Sequence, residues 1–138
     1  MSNVRQLREK QPENENITIN LGFVDLGRID LLVQEGFYSN RSDLIRTAIR
    51  NQLESHGEVV SKSLERHTME LGLRDYSVAD LEAVRDAGEV LHIKVVGLAR
   101  FDADVTPELA LQTIASITVL GALQASADLK KALADRIK

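Results

Sequence analysis

Between Asn16 and Leu21 polar and apolar residues alternate strictly. Ile17, Ile19 and Leu21 fall on one face of a strand, and Asn16, Thr18 and Asn20 on the other. The period then lengthens to that of a helix. Phe23, Leu26, Ile29, Leu32 and Val33 make one apolar stripe, with Gly36 suited to the left-handed residue that ends it. Leu44, Ile45, Ala48, Ile49 and Leu53 make a second stripe. A lone strand of this length satisfies neither its backbone nor its apolar face, since even an isolated hairpin is marginal in water. No second strand follows nearby, so the pattern predicts pairing of residues 17–21 with a second copy of the chain, antiparallel across a two-fold axis. Such a ribbon keeps Ile17, Ile19 and Leu21 on the helices and turns Asn16, Thr18 and Asn20 outward. Its dimensions suit the DNA major groove, where Asn and Thr read base edges.

The second helix carries its own chemistry. Ser39 is expected as the N-cap, its hydroxyl accepting from the amide of Arg41 or Ser42, and Asp43 suits the first turn. Free amides at a helix start attract phosphate, so Ser39, Asn40, Arg41 and Ser42 form the expected phosphate-contacting set. Ser39 to Arg50 holds Arg41, Arg46 and Arg50 against Asp43 alone, a local balance of +2. Arg46 and Arg50 fit either a phosphate-facing surface or a solvated one in which Arg50 pairs with Glu54 one turn on.

These residues resemble a ribbon-helix-helix DNA-binding module of the CopG and Arc/MetJ type. The most specific part is FYSNRSDLIRTAIRNQL, Phe37 to Leu53, which resembles the start and body of that family's second helix. The resemblance implies a homodimeric, sequence-specific transcriptional regulator binding double-stranded DNA. The sequence departs from the family pattern in two places. Gly22 stands where many relatives have Pro, and the outward ribbon positions carry no Arg or Lys.

The rest of the chain reads as a second unit. Val59 to Leu71 continues a helical pattern with Leu64 and Leu71 a heptad apart and Gly72 closing it. Ser77 to Asp80 is a capping box with Asp in place of Glu, opening a helix that Gly88 ends. Val90 to Ala99 is a β-branched run, hence a strand. Thr106 and Pro107 open a helix through about Ser116, and Ile117 to Ala125 is another strand. Ser126 caps a last helix bearing Leu129, Leu133 and Ile137. Gly97 and Gly121 inside the strands suggest a bulge or close backbone contact. The expected organisation is a polar, mobile arm over 1–16, a ribbon-helix-helix domain over 17–56, a helical connector over 57–76, and a strand-helix-strand-helix domain over 77–138. The fold class is α+β. The last domain would serve oligomerisation, with a tetramer as the larger assembly, or response to an effector.

Composition narrows the chemistry. Of 138 residues 43% are hydrophobic and 28% charged, a folded and not a disordered balance. Cysteine is absent, which excludes disulfides and Cys-based zinc sites. No apolar run approaches about 18 residues and no signal-peptide core precedes the arm, so a cytoplasmic protein without a membrane partner is expected. The net charge is −4, and residues 1–56 hold seven basic and eight acidic residues, so DNA binding depends on local patches. One such patch is the arm, where Arg5, Arg8 and Lys10 oppose Glu9. His56, His67 and His92 lack ligand spacing, and Asp102 with Asp104 falls short of a calcium shell. No Gly-rich phosphate loop or acid/base constellation is present, so neither catalysis nor a cofactor is expected. Three classes stay open: a DNA-binding regulator, an antitoxin masking a small toxin with its C-terminal segment, and an interaction protein that retains the fold.

Overall fold

The computed structural model describes residues 12–138, which fall into two compact units: Asn14–Ser63, and Leu64–Lys138 together with Pro12 and Glu13. The arm cations Arg5, Arg8 and Lys10 lie outside the described residues.

In the first unit residues 14–22 run without regular secondary structure into helix α1, Phe23–Gln34. Helix α1 stops at a left-handed glycine, Gly36 (φ 88°). The Gly36 amide donates to Val33 O and the Phe37 amide to Leu32 O, both at 3.0 Å, which closes the last turn of carbonyls. Helix α2 follows at Arg41–Ser55, and α3 at Gly57–His67, separated by His56 (φ −101°, ψ 11°). The half-buried side chains of this unit include Leu26, Ile29, Val33, Leu44 and Ile45, but none of Asn14–Ser63 is fully buried.

The second unit is built on a three-stranded sheet in the order β1 (Glu70–Tyr76), β2 (Leu91–Phe101), β3 (Ile114–Gln124), parallel throughout. The connections are α4 (Val78–Asp86) and α5 (Pro107–Thr113), and α6 (Ala127–Ala132) follows β3. Ile93, Val95, Ala99, Phe101, Ile114 and Ile117 from the strands meet Leu81, Leu109, Ala110, Leu129 and Leu133 from the helices in one core. Each of the larger side chains among them contributes about 1.5–3 kcal/mol when fully withdrawn from water, and each alanine less. The opposite sheet face carries the paired positions Leu71, Val96 and Leu120, of which Leu71 and Leu120 are 69% and 60% exposed.

Local signals decide where the helices of this unit begin. The capping box at α4 forms as expected: the Asp80 amide donates to Ser77 Oγ (3.1 Å) and the Ser77 amide to Asp80 Oδ2 (3.0 Å). The Ser77 amide, with its hydroxyl, holds the Asp80 carboxyl below the usual carboxylate range. Thr106 and Ser126 cap α5 and α6 through Leu109 N and Leu129 N.

Three sequence expectations are corrected here. The helical reading of Val59 to Leu71 ends at His67, and Leu71 and Gly72 belong to β1, so there are three strands among the described residues and the connector ends in one of them. Thr68 takes a positive φ of 55° at the break, a conformation that no helix interior sustains. Helix α5 is shorter than expected and passes directly into β3. Its end is held by Arg136 Nη1, which donates to Leu111 O (2.7 Å) and Ile114 O (2.6 Å). Ile137 is not helical: after the 3₁₀ turn Ala134–Arg136 it bridges Ile117 in parallel, because the Lys138 amide finds Ile117 O at 2.8 Å.

Gly97 and Gly121 do mark close backbone contact, and they share it with Gly72. The three stand 25 and 24 residues apart in the chain, yet lie side by side across the sheet. Their φ angles are 132°, 139° and 119°. A Cβ on Gly97 would collide with the Gly72 carbonyl, and one on Gly121 with that of Gly97, whereas one on Gly72 would meet open space. Gly72→Ala should therefore cost only backbone strain, about 1–3 kcal/mol. Gly97→Ala should cost more than about 3 kcal/mol because strands must also separate. Denaturant unfolding followed on the second unit checks the order; equal losses would show that contact across the row is unimportant.

Candidate nucleic-acid interface

Residues 14–22 lack regular secondary structure and are exposed throughout, Asn16, Thr18 and Asn20 among them. Their neighbours Ile17 and Ile19 are 83% and 60% exposed, and Leu21 is exposed too. Within one chain nothing covers these apolar side chains. The next element begins without a side-chain cap: Gly22 precedes α1 in extended conformation, and Asp25 supplies the negative charge of its first turn.

At the start of α2 the N-cap is Asn40, not Ser39. Asn40 Oδ1 accepts from the Asp43 amide at 2.8 Å, and Asp43 Oδ2 in turn accepts from the Ser39 amide at 2.9 Å. The helix starts one residue later than expected, which moves the reciprocal carboxylate onto the third helical position, where it reaches back. The amides of Arg41 and Ser42 open the helix with no intrahelical acceptor. Ser39, Asn40, Arg41 and Ser42 all remain exposed around them.

Arg41 has a partner that linear spacing did not reveal. Its Nε and Nη2 donate to Asp30 Oδ1 and Oδ2, both at 2.8 Å, forming a bidentate pair between the two helices. The guanidinium holds the Asp30 carboxyl below its ordinary range, and Asp30 raises the Arg41 value in return. Both groups are exposed, so the pair is solvent-screened and open to exchange for a phosphate. Arg46 and Arg50 are exposed, and among the described residues no ion pair joins Arg50 to Glu54. No cluster that could hold a metal ion occurs among the described residues. His92 Nδ1 instead lies 3.0 Å from Ser116 Oγ on the neighbouring strand. No helix is long and apolar enough to cross a membrane, again among the described residues.

The family model described as Ribbon-Helix-Helix transcriptional regulator family matches residues 12–130, and the chain belongs to that family. No curated protein and no solved structure matches the chain.

The shift of the cap by one residue has a direct test. Asn40→Ala should lower stability by about 1 kcal/mol, while Ser39→Ala should change it by a few tenths at most. Thermal unfolding of the two variants decides; the reverse order would restore Ser39 as the cap.

Proposed function

We propose, from this membership, that the protein is a homodimeric, sequence-specific DNA-binding regulator. In this reading the strands at residues 17–21 of two copies pair and enter the major groove. One observation carries the dimer: Asn14–Ser63 has no buried residue, yet Ile17, Ile19, Phe23, Val24, Leu31, Phe37, Ile49, Leu53 and Val59 are each more than half exposed. Covering them is worth about 1.5–3 kcal/mol apiece at full burial, and an antiparallel ribbon with interleaved helices of a second copy supplies the cover. Asn16, Thr18 and Asn20 then project from one face and are doubled by the two-fold. The Arg41 and Ser42 amides, with Ser39 and Asn40 beside them, take the flanking phosphates. With Asn and Thr but no Arg on the ribbon, adenine and thymine contacts predominate, giving an A/T-leaning palindromic site. Such a protein works in the cytoplasm. The folded sheet of the second unit favours oligomerisation or effector response over the short, poorly folded tail of an antitoxin.

Ile19→Lys places a charge in the shared core and should abolish the dimer together with the helical signal of residues 23–55, since an unpaired buried charge costs several kcal/mol. Sedimentation and circular dichroism read both; a stable monomer with intact helices would defeat the dimer reading.

DNA contacts separate into two kinds. Arg41→Ala should weaken binding evenly on all sequences and lower the salt slope by roughly 1. Asp30→Asn, which frees Arg41 and removes a carboxylate, should strengthen binding on all sequences. Asn20→Ala should lose about ten-fold on the preferred site and little on random DNA. Fluorescence anisotropy across a salt series distinguishes them, and equal losses for Asn20→Ala on both DNAs would make Asn20 a support of the ribbon only. No binding by the wild type at low salt would favour the interaction-protein reading.

A further inference from the structure

Three residues beyond the glycine row, the same register aligns Asp75, Arg100 and Gln124 at the C-terminal ends of the three strands. In open sheets of parallel strands this is the end at which ligands bind. The row borders a cleft of about 680 Å³ that the starts of α4 and α6 also line, through Ser77, Asp80 and Ser126.

The chemistry of the row does not close on itself. Arg100 Nε donates to Asp75 Oδ1 at 2.7 Å, and the Arg100 side chain is only 16% exposed. Among the described residues its Nη1 and Gln124 Oε1 are buried without a hydrogen-bond partner. What the remaining donors do hold is a piece of chain from far away in the sequence. Gln124 Nε2 donates to the Pro12 carbonyl, and Arg100 Nη2 lies 3.7 Å from Glu13 Oε1. A carboxamide donating to a backbone carbonyl next to a guanidinium facing the following carboxylate has the chemistry to recognise a peptide with an acid at a set position.

We propose that the Asp75–Arg100–Gln124 row is a peptide-binding site, and that its occupant is the chain's own segment Pro12–Glu13. Asp75 positions the guanidinium, Arg100 takes the Glu13 carboxylate, and Gln124 takes the Pro12 carbonyl. Proline suits the first place, since it offers only a carbonyl and its fixed φ limits the entropy lost on docking. Only Asn14 and Glu15 separate the held residue from Asn16, so the site fastens the chain immediately ahead of its alternating strand.

Backbone ¹⁵N relaxation on the full-length protein without DNA tests this. The Glu13 amide should show an order parameter of about 0.8 in the wild type and fall below about 0.6 in the double variant Glu13→Gln, Gln124→Ala. Glu15→Gln, which touches neither group, should leave it unchanged. The Gln124 side-chain amide resonances should shift in Glu13→Gln while amides of the core strand, such as Val95 and Ala99, stay in place; this shows that the sheet is intact. A Glu13 order parameter below about 0.6 in the wild type, or one equal in all variants, would overturn the proposal. Because the measurement is made on free protein, failure of DNA binding would remove the regulator reading without bearing on this one.

Discussion

The N-terminal half has more apolar surface than it can cover by itself. In its first two helices Leu26, Ile29, Val33, Leu44 and Ile45 are half-buried, while Phe23, Val24, Leu31, Ile49 and Leu53, with Ile17 and Ile19 before them, stay in water. A few short helices and one segment without regular structure leave too few faces for a core, whatever their propensities. In the proposed dimer Asn16, Thr18 and Asn20 acquire a direction because Ile17, Ile19 and Leu21 are turned toward the second copy. The demand for burial is therefore what orients the surface proposed to read DNA.

The second unit solves the same problem within one chain. Its three parallel strands and the helices between them bury a continuous core on one sheet face. Register there depends on the glycine row: with no Cβ at Gly97 or Gly121, the carbonyl of the preceding strand occupies that space. A slip by one residue would drive a side chain into a backbone oxygen and turn the core residues to the wrong face. By fixing the register, the row also assembles Asp75, Arg100 and Gln124 from three strands into one polar line.

Electrostatics in the first unit follows from tertiary pairing and not from net charge. Arg41 reads in the sequence as a charged donor at a helix start, with Asp43 the one acid of its stretch. In the fold Asp30, eleven residues earlier, meets it in a bidentate pair, so the start of α2 presents amides and hydroxyls with its cation already engaged. In the proposed complex a DNA phosphate would compete with a solvent-screened carboxylate for that guanidinium, which ties the proposed contact to Asp30.

Features governed by a few neighbouring residues were legible in the sequence. The helical stripes of α1 and α2, the left-handed stop at Gly36, the capping box of Ser77 and Asp80, the caps Thr106 and Ser126, and the strand character of Val90 to Ala99 each follow from local spacing and hydrogen bonding. The ribbon-helix-helix resemblance rests on such features too. What escaped was set by distant partners. Glu70 to Tyr76 lacks strong β propensity and sits after a helical heptad, so it becomes a strand only because β2 offers it a ladder. Arg136 and Ile117, far apart in sequence, decide where α5 stops and how Ile137 lies. The spacing of Gly72, Gly97 and Gly121 was visible and would have aligned the strands, but each glycine by itself means only local freedom. Contact across the sheet turns the three into a register, and with it brings together Asp75, Arg100 and Gln124, because strand pairing alone places residues so far apart in sequence side by side.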